Sequence, residues 1–104
     1  MNPIKVDRNN IKKLTDLPNI GKAAAADLVL LGITTPDDLL ERDAFQLYDD
    51  LCHITQARHD PCVIDVFISV IRFMQGEPAR PWWEYTAERK KSYYRLANNI
   101  APLL

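Results

Sequence analysis

One short stretch, L-P-N-I-G-K at positions 17–22, forces the chain to turn sharply between two helical segments. Pro18 disfavours helical geometry at the residue before it, so a preceding helix has to end by Leu17. Gly21 permits a positive φ angle or a close approach of the backbone, and a second helix begins directly after it. Two helices joined by a tight turn are therefore the first structural unit that the sequence predicts.

Helical signals dominate the rest of the chain, because no stretch shows sustained alternation of polar and β-branched residues. At 104 residues and without a linker-like segment, the chain has the size of one domain. We predict an all-α fold of about five helices in a single domain, residues 1–104. In the first half of the chain, the sequence predicts a short helix capped by Asn9 or Asn10 and ending near Asp16, and a second helix from about Lys22 to Gly32. Thr35 and Pro36 mark a further helix start, and Asp43 is expected to cap the next helix. The last two predicted helices cover residues 61–75 and run from about Trp82 to Asn98.

The predicted helix over residues 61–75 is the most hydrophobic element of the chain. Its polar residues Asp65, Ser69 and Arg72 are spaced i, i+4, i+7, so they form one narrow stripe along the helix. Everything else on this helix is expected to be buried. The pattern predicts that it is the central core helix.

Charged residues are segregated along the chain, although the net charge is only −1. Residues 1–22 carry five basic and two acidic side chains, residues 23–68 two basic and nine acidic ones, and residues 69–104 six basic and three acidic ones. If the two ends meet in the fold, they form a basic patch, and the acidic centre confines a polyanion to that side. A mixed, solvated surface is the alternative interpretation.

The start of the second helix favours an anion. Free backbone N–H groups and the positive end of the helix dipole point outward there, together with the ammonium group of Lys22. A nucleic-acid phosphate is the obvious partner, since backbone donors and one lysine hold a phosphate without reading sequence.

Residues 17–40, LPNIGKAAAADLVLLGITTPDDLL, resemble a helix-hairpin-helix motif followed by the G-I-T-T-x-D-D-L continuation common in that superfamily. Carried on through LYDDLCHITQARHDPCVIDVFISVIRFMQGE and the tryptophan pair after it, roughly residues 11–90 resemble the small bacterial family called pathogenicity locus or mitomycin-resistance-protein-like. The first motif also resembles the C-terminal domain of TfoX-type competence regulators, in which this fold occurs without an enzymatic site.

The resemblance implies a helix-hairpin-helix, SAM-domain-like arrangement over residues 14–52, completed by the two C-terminal helices. It also implies binding of DNA without sequence specificity. The residues expected at the phosphates are Asn19, Ile20, Gly21 and Lys22, helped by Lys12 and Lys13.

Two features depart from the DNA-binding version of the motif. The first glycine of the usual G-h-G pattern is Asn19, which tolerates left-handed geometry but adds a side chain where the phosphate approaches. DNA-binding members commonly use paired motifs, and the sequence offers only a degenerate second copy around residues 33–52. The alternative function is therefore a protein-protein interaction module in which the motif is only scaffold, and the acidic centre or the tryptophan region binds the partner.

The segment RPWWEYTAERKKSYYRL, residues 80–96, interleaves aromatic and basic residues. This pattern suits base stacking and phosphate neutralisation on single strands. It equally suits a terminal helix whose tryptophans close the core, leaving Arg89, Lys90 and Lys91 in water. We favour the second interpretation, because small all-α domains need large apolar side chains to complete the core.

Four potential ligands, Cys52, His53, His59 and Cys62, form the pattern C-H-x5-H-x2-C. Zinc accepts these residue types, but the spacing is unlike that of the usual zinc fingers and ribbons. We predict no metal and no cofactor, with the cysteines as a reduced pair, although redox pairing across the loop stays open. These residues are also the sole nucleophile-base candidates, and without a recognisable oxyanion site we predict that the chain is not an enzyme.

Targeting signals are not recognisable in the sequence. The N-terminus lacks the succession of charged, apolar and small residues of an export signal. The longest dense apolar run, residues 63–74, is interrupted by polar residues and is too short to span a bilayer. We expect a soluble cytoplasmic protein without a membrane partner.

Overall fold

A computed structural model of the chain describes the backbone of residues 5–99 and the side chains of residues 5–92. Within these residues the fold is all-helical, as predicted, and contains no strand. The α-helices are α1 (Lys22–Leu30), α2 (Ala44–Thr55), α3 (Cys62–Met74) and α4 (Thr86–Asn99). Short 3₁₀ turns at Arg8–Asn10, Leu14–Asp16, Pro36–Leu39 and Trp82–Tyr85 connect them. Both ends of the predicted domain, residues 1–4 and 100–104, lie outside the described part.

The predicted short helix before the hairpin is replaced by the first two 3₁₀ turns. Asp7, rather than an asparagine, is the cap, and its carboxylate accepts a hydrogen bond from the backbone N–H of Asn9 at 3.0 Å. Downstream, the Asp16 carboxylate accepts hydrogen bonds from the backbone N–H groups of Lys12 and Lys13, both at 3.0 Å. Because these side-chain bonds engage the backbone donors, this segment forms tight turns in place of a continuous helix.

The predicted ends of the following helices are confirmed. Gly32 has a φ of 84° after α1, and the N–H of Ile33 donates to the carbonyl of Leu28 at 2.9 Å, as in a left-handed C-terminal cap. Asp43 caps α2 by accepting hydrogen bonds from two backbone N–H groups of its first turn. Gly76, with a φ of 107°, follows the end of α3.

Helix α3 lies at the centre of the core, as predicted. It packs against α2 and against the Trp82–Tyr85 turn, which precedes α4. Its fully or almost fully buried apolar side chains are Ile64, Phe67, Ile68, Val70, Ile71 and Phe73. None of the helices in residues 5–99 is long and apolar enough to cross a lipid bilayer.

The polar stripe of α3 is itself mostly buried, which the sequence did not indicate. Asp65 is fully buried and lies against α4, where it accepts hydrogen bonds from the Thr86 hydroxyl at 2.7 Å and from Arg89 Nε at 2.9 Å. Its carboxylate and the Arg89 guanidinium thus form a buried ion pair. The polar stripe of α3 is thus a contact surface, called the seam, against which other elements of the fold pack.

Two further residues of the stripe extend this seam. Ser69, also buried, accepts a hydrogen bond from the Asn19 side chain at 3.0 Å. Arg72 pairs with Glu77 at 3.4 Å and with Glu88 of α4 at 2.5 Å. One face of α3 therefore holds the hairpin, the segment after α3 and α4 in place.

The prediction that the tryptophans close the core is wrong for Trp83. Tyr85 is the buried aromatic residue of the Trp82–Tyr85 turn, while Trp83 is 60% exposed. In a 3₁₀ turn the side chains at i and i+3 lie on the same side. Trp82 and Tyr85 therefore share the inner side, which leaves Trp83 directed outward.

Two segments that precede helices are similar in sequence and structure. Residues 11–17, IKKLTDL, and residues 33–39, ITTPDDL, each contain a 3₁₀ turn and end with a fully buried leucine. Asp38 accepts from the N–H groups of Thr34 and Thr35 at 3.0 and 3.1 Å, as Asp16 does in the first segment. In both segments these backbone hydrogen bonds lower the pKa of the aspartate. Residues 33–39 and the start of α2 therefore repeat the arrangement of residues 11–17 and the start of α1, and we call them the second copy of the hairpin segment.

Candidate nucleic-acid interface

The hairpin turn, residues 17–21, has one side buried in the core and one side exposed to solvent. Leu17, Pro18 and Ile20 are completely buried, whereas Gly21 and Lys22 are exposed. The turn packs on the core through its apolar residues, as the sequence predicts. Its backbone consequently has a fixed position at the protein surface.

Asn19 adopts left-handed geometry, with a φ of 66°, and its side chain points into the protein. The amide nitrogen Nδ2 donates to Ser69 Oγ at 3.0 Å and to the backbone carbonyl of Arg80 at 2.8 Å. The expectation that this side chain stands where a phosphate approaches is therefore wrong. The side-chain amide acts as a brace that ties the hairpin turn to α3 and to the segment before the Trp82–Tyr85 turn.

Replacing Asn19 by glycine isolates the contribution of this brace. Glycine adopts the observed φ without strain, so Asn19→Gly is expected to lose only the two side-chain hydrogen bonds, about 1–2 kcal/mol of unfolding free energy. If the backbone of the turn holds a phosphate, affinity for DNA is expected to stay within about twofold of the parent, because the substitution leaves the backbone donors in place. Urea unfolding and a DNA titration of the same variant measure the two effects. A stability equal to that of the parent would contradict the role of the side chain.

The N-terminus of α1 presents unpaired backbone donors. Gly21 is the N-cap and offers no side-chain acceptor, and the first intrahelical hydrogen bond runs from the N–H of Ala25 to the carbonyl of Gly21 at 3.0 Å. By helix geometry the N–H groups of residues 22–24 have no intrahelical acceptor. α2 differs, because the carboxylate of Asp43 occupies the equivalent donors. In the second copy of the hairpin segment, the Asp43 carboxylate thus already engages backbone N–H groups that an anion would otherwise bind.

The predicted lysines are all exposed, and no ion pair engages their ammonium groups within the described side chains. Lys22 lies at the start of α1. Lys12 and Lys13 precede the Leu14–Asp16 turn, which packs against α1. Lys12 also lines a cleft of about 450 Å³ formed with residues of the second copy, a cleft that Lys22 does not line.

Arg8, another basic residue of the N-terminal segment, has a structural role. Its guanidinium lies 3.9 Å from the centre of the Phe73 ring and donates to the Phe73 carbonyl at 2.7 Å and to the Glu77 carbonyl. The basic segments 1–22 and 69–104 therefore contact each other, through Arg8 and through Asn19. The guanidinium of Arg8 is itself engaged by Phe73 and Glu77.

Arg80 and Trp83 are the residues near the hairpin turn that the DNA-binding prediction omitted. The bond from Asn19 to the Arg80 carbonyl places this segment beside the turn, and both Arg80 and Trp83 are exposed. The alternation of basic and aromatic residues in 80–96 was the available signal. The proximity of this segment to residue 19 depends on a hydrogen bond between residues that are 61 positions apart in the chain, and no local sequence pattern indicates such a contact.

Cys52 and His53 lie in the last turn of α2, His59 in the loop after it, and Cys62 at the start of α3. Cys52 and Cys62 are free thiols, and within the described residues no three Cys, His, Asp or Glu side chains gather as a metal site. His59 Nε2 forms a 2.8 Å hydrogen bond with the Thr55 hydroxyl. A hydrogen bond with the Asp60 carboxylate raises the pKa of the Cys62 thiol, which disfavours the nucleophilic thiolate.

Comparison with known proteins identifies the family. The chain belongs to the family described as Pathogenicity locus, whose model matches residues 7–91. It is 41% identical over 78 residues to mitomycin resistance protein McrB of Streptomyces lavendulae, an alignment that covers 75% of this chain and 74% of that protein. The predicted resemblance to the pathogenicity locus or mitomycin-resistance-protein-like family is confirmed. No solved structure matches the chain significantly.

Proposed function

We propose that the chain is a non-catalytic DNA-binding module that holds backbone phosphates, independent of base sequence, through a helix-hairpin-helix. In this interpretation the Leu14–Asp16 turn takes the place of the first helix, and α1 is the second helix. The phosphate ligands are the backbone N–H groups at the end of the hairpin turn and at the start of α1. Lys22 supplies the charge, and Lys13 and Lys12 strengthen the attraction from the preceding segment.

The observation that carries this proposal is the exposed, uncapped start of α1 beside the ammonium of Lys22. Backbone donors, the positive end of a helix dipole and a lysine all favour the same anion. The turn that presents them is held by three buried apolar side chains, those of Leu17, Pro18 and Ile20, and by the Asn19 brace. Because the donors are already oriented, binding a phosphate requires little ordering of the protein.

Only the first copy of the hairpin segment is proposed to bind phosphate. In the second copy the Asp43 carboxylate both caps α2 and repels an anion. A module with one active hairpin makes few phosphate contacts. It is therefore expected to bind weakly when alone.

The salt dependence of binding tests this proposal. Fluorescence anisotropy of a labelled DNA is expected to give a slope of log K against log salt of about −2 to −3, as two or three phosphate contacts require. The slope is expected to be the same for unrelated base sequences, since the contacts are to the backbone. Absence of binding at low salt, or a strong preference for one sequence, would contradict the proposal.

Binding to another protein is a second candidate, favoured by a different observation. Val29 and Leu30 at the end of α1 are 53% and 54% exposed, an apolar surface larger than an isolated side chain. Replacing both by lysine would weaken a protein contact while leaving the donors at the start of α1 unchanged. Retained DNA binding in that double variant separates the two functions.

A further inference from the structure

Trp83 is the most exposed large apolar side chain in the part of the chain that the structure describes. Its neighbours on both sides are anchored: Tyr85 is buried against the core, and the Trp82 ring is half-buried. The Trp82 and Trp83 rings contact each other edge to face, with centroids 5.6 Å apart and an interplanar angle of 84°. Trp83 therefore presents most of its indole surface to solvent on a fixed support, where a flat aromatic partner can contact it.

The position of Trp83 relative to the hairpin turn follows from the Asn19 brace. Asn19 Nδ2 lies 2.8 Å from the backbone carbonyl of Arg80. Trp83 is three residues further along the chain, so its backbone lies within roughly 10 Å of that carbonyl. The side chain of Arg80, in the same segment, is exposed and adds a positive charge to it.

We propose that Trp83 stacks on an unpaired base while the hairpin turn holds a neighbouring phosphate, so that the preferred ligand is single-stranded DNA. This inference rests on the proposed function, because the hairpin supplies the phosphate contact. Indole stacking tolerates any base, since every base has a π face, and thus keeps binding independent of sequence. In an intact duplex the base faces are covered by their neighbours, and Trp83 gains no such contact.

Fluorescence of Trp83 provides the direct test. The chain has two tryptophans, so Trp82→Phe leaves Trp83 as the sole indole. This variant is titrated at low salt with a short single strand, with a strand of equal length that has abasic sites in place of the bases, and with a blunt duplex. Stacking is expected to quench Trp83 with the normal single strand only, and the normal strand is expected to bind more tightly than the abasic one.

The variant Trp83→Ala measures the energetic contribution in the otherwise unchanged full chain. It is expected to lose roughly 5- to 100-fold in affinity for the normal single strand, the range for loss of one stacked base, and none for the duplex or the abasic strand. Lys22→Glu, in contrast, is expected to weaken all three ligands, since all three carry phosphates.

These ligands separate failure of the stacking inference from failure of the proposed function. Equal affinity of the parent for the normal and abasic strands, with Lys22→Glu still weakening both, would overturn stacking and leave the hairpin intact. Absence of binding to every ligand would overturn both proposals. Quenching of Trp83 with an undiminished affinity of Trp83→Ala for the single strand would also overturn the inference, because the contact would then contribute no binding energy.

Discussion

Replacing Asp65 by alanine is expected to lower the free energy of unfolding by about 3–5 kcal/mol, because the change leaves the Arg89 guanidinium without its partner in a largely buried site. The Asp65 side chain is fully buried and that of Arg89 is 12% exposed. Thr86 loses its acceptor in the same variant. A domain of this size has about 5–15 kcal/mol of stability in total, so the loss is expected to be a large fraction of that stability. Urea unfolding followed by far-UV circular dichroism measures the loss.

The surface pair Arg42 and Asp50 is the matched control for the buried pair. Its atoms are 4.0 Å apart and both side chains are more than a third exposed, so Asp50→Ala is expected to change stability by about 0.5 kcal/mol or less. The double variant Asp65→Ala/Arg89→Ala is expected to lose less than the sum of its single variants, since no unpaired charge remains. A loss for Asp65→Ala as small as that for Asp50→Ala would show that α4 is not docked on α3 as described.

Lys22→Glu is expected to weaken binding to DNA by roughly ten- to a hundredfold at low salt, because it removes one phosphate contact and places a negative charge at the start of α1. The salt slope is expected to become shallower by about one, and the loss is expected to be the same for all base sequences. Stability is expected to change little, since Lys22 is exposed and no ion pair engages it within the described side chains. Anisotropy titrations at several salt concentrations measure affinity and slope together.

Arg58→Glu is the matched control for this substitution. It changes the net charge of the protein by the same amount, and Arg58 lies in the loop between α2 and α3, within the acidic stretch. If binding depends on the hairpin, Arg58→Glu is expected to lose far less affinity than Lys22→Glu. Equal losses in the two variants would show that overall charge, rather than the hairpin, attracts DNA.

The fold class and most helix ends were predictable because they depend on local chemistry. Gly32 ends α1 and Asp43 begins α2 through hydrogen bonds within a few residues of each. The first segment was not predicted correctly, because the side-chain bonds of Asp16 compete with a continuous helix and their outcome depends on packing. Local sequence patterns therefore predict the order of the helical elements better than whether each one is an α-helix or a 3₁₀ turn.

Residues whose roles depend on distant partners were not predictable from the sequence. Asp65 and Ser69 have the correct helical spacing, but their burial depends on α4 and on the hairpin turn. The direction of the Asn19 side chain depends on Arg80 in the same way. The assignment of residues 19–22 as a phosphate site remains a prediction from the motif. The contact that brings residue 80 beside residue 19 joins distant parts of the chain, so no local pattern indicates it.

An amide chemical-shift titration of isotope-labelled protein with short DNA tests whether the hairpin turn holds phosphate. Low-salt shifts are expected to concentrate on residues 19–22 and the following first turn of α1, to weaken as salt increases, and to spare the start of α2, where Asp43 occupies the donors. Shifts that avoid residues 19–22, or a spectrum unchanged at low salt, would contradict phosphate binding by the hairpin. In either case the turn over residues 17–21 would have a structural role only.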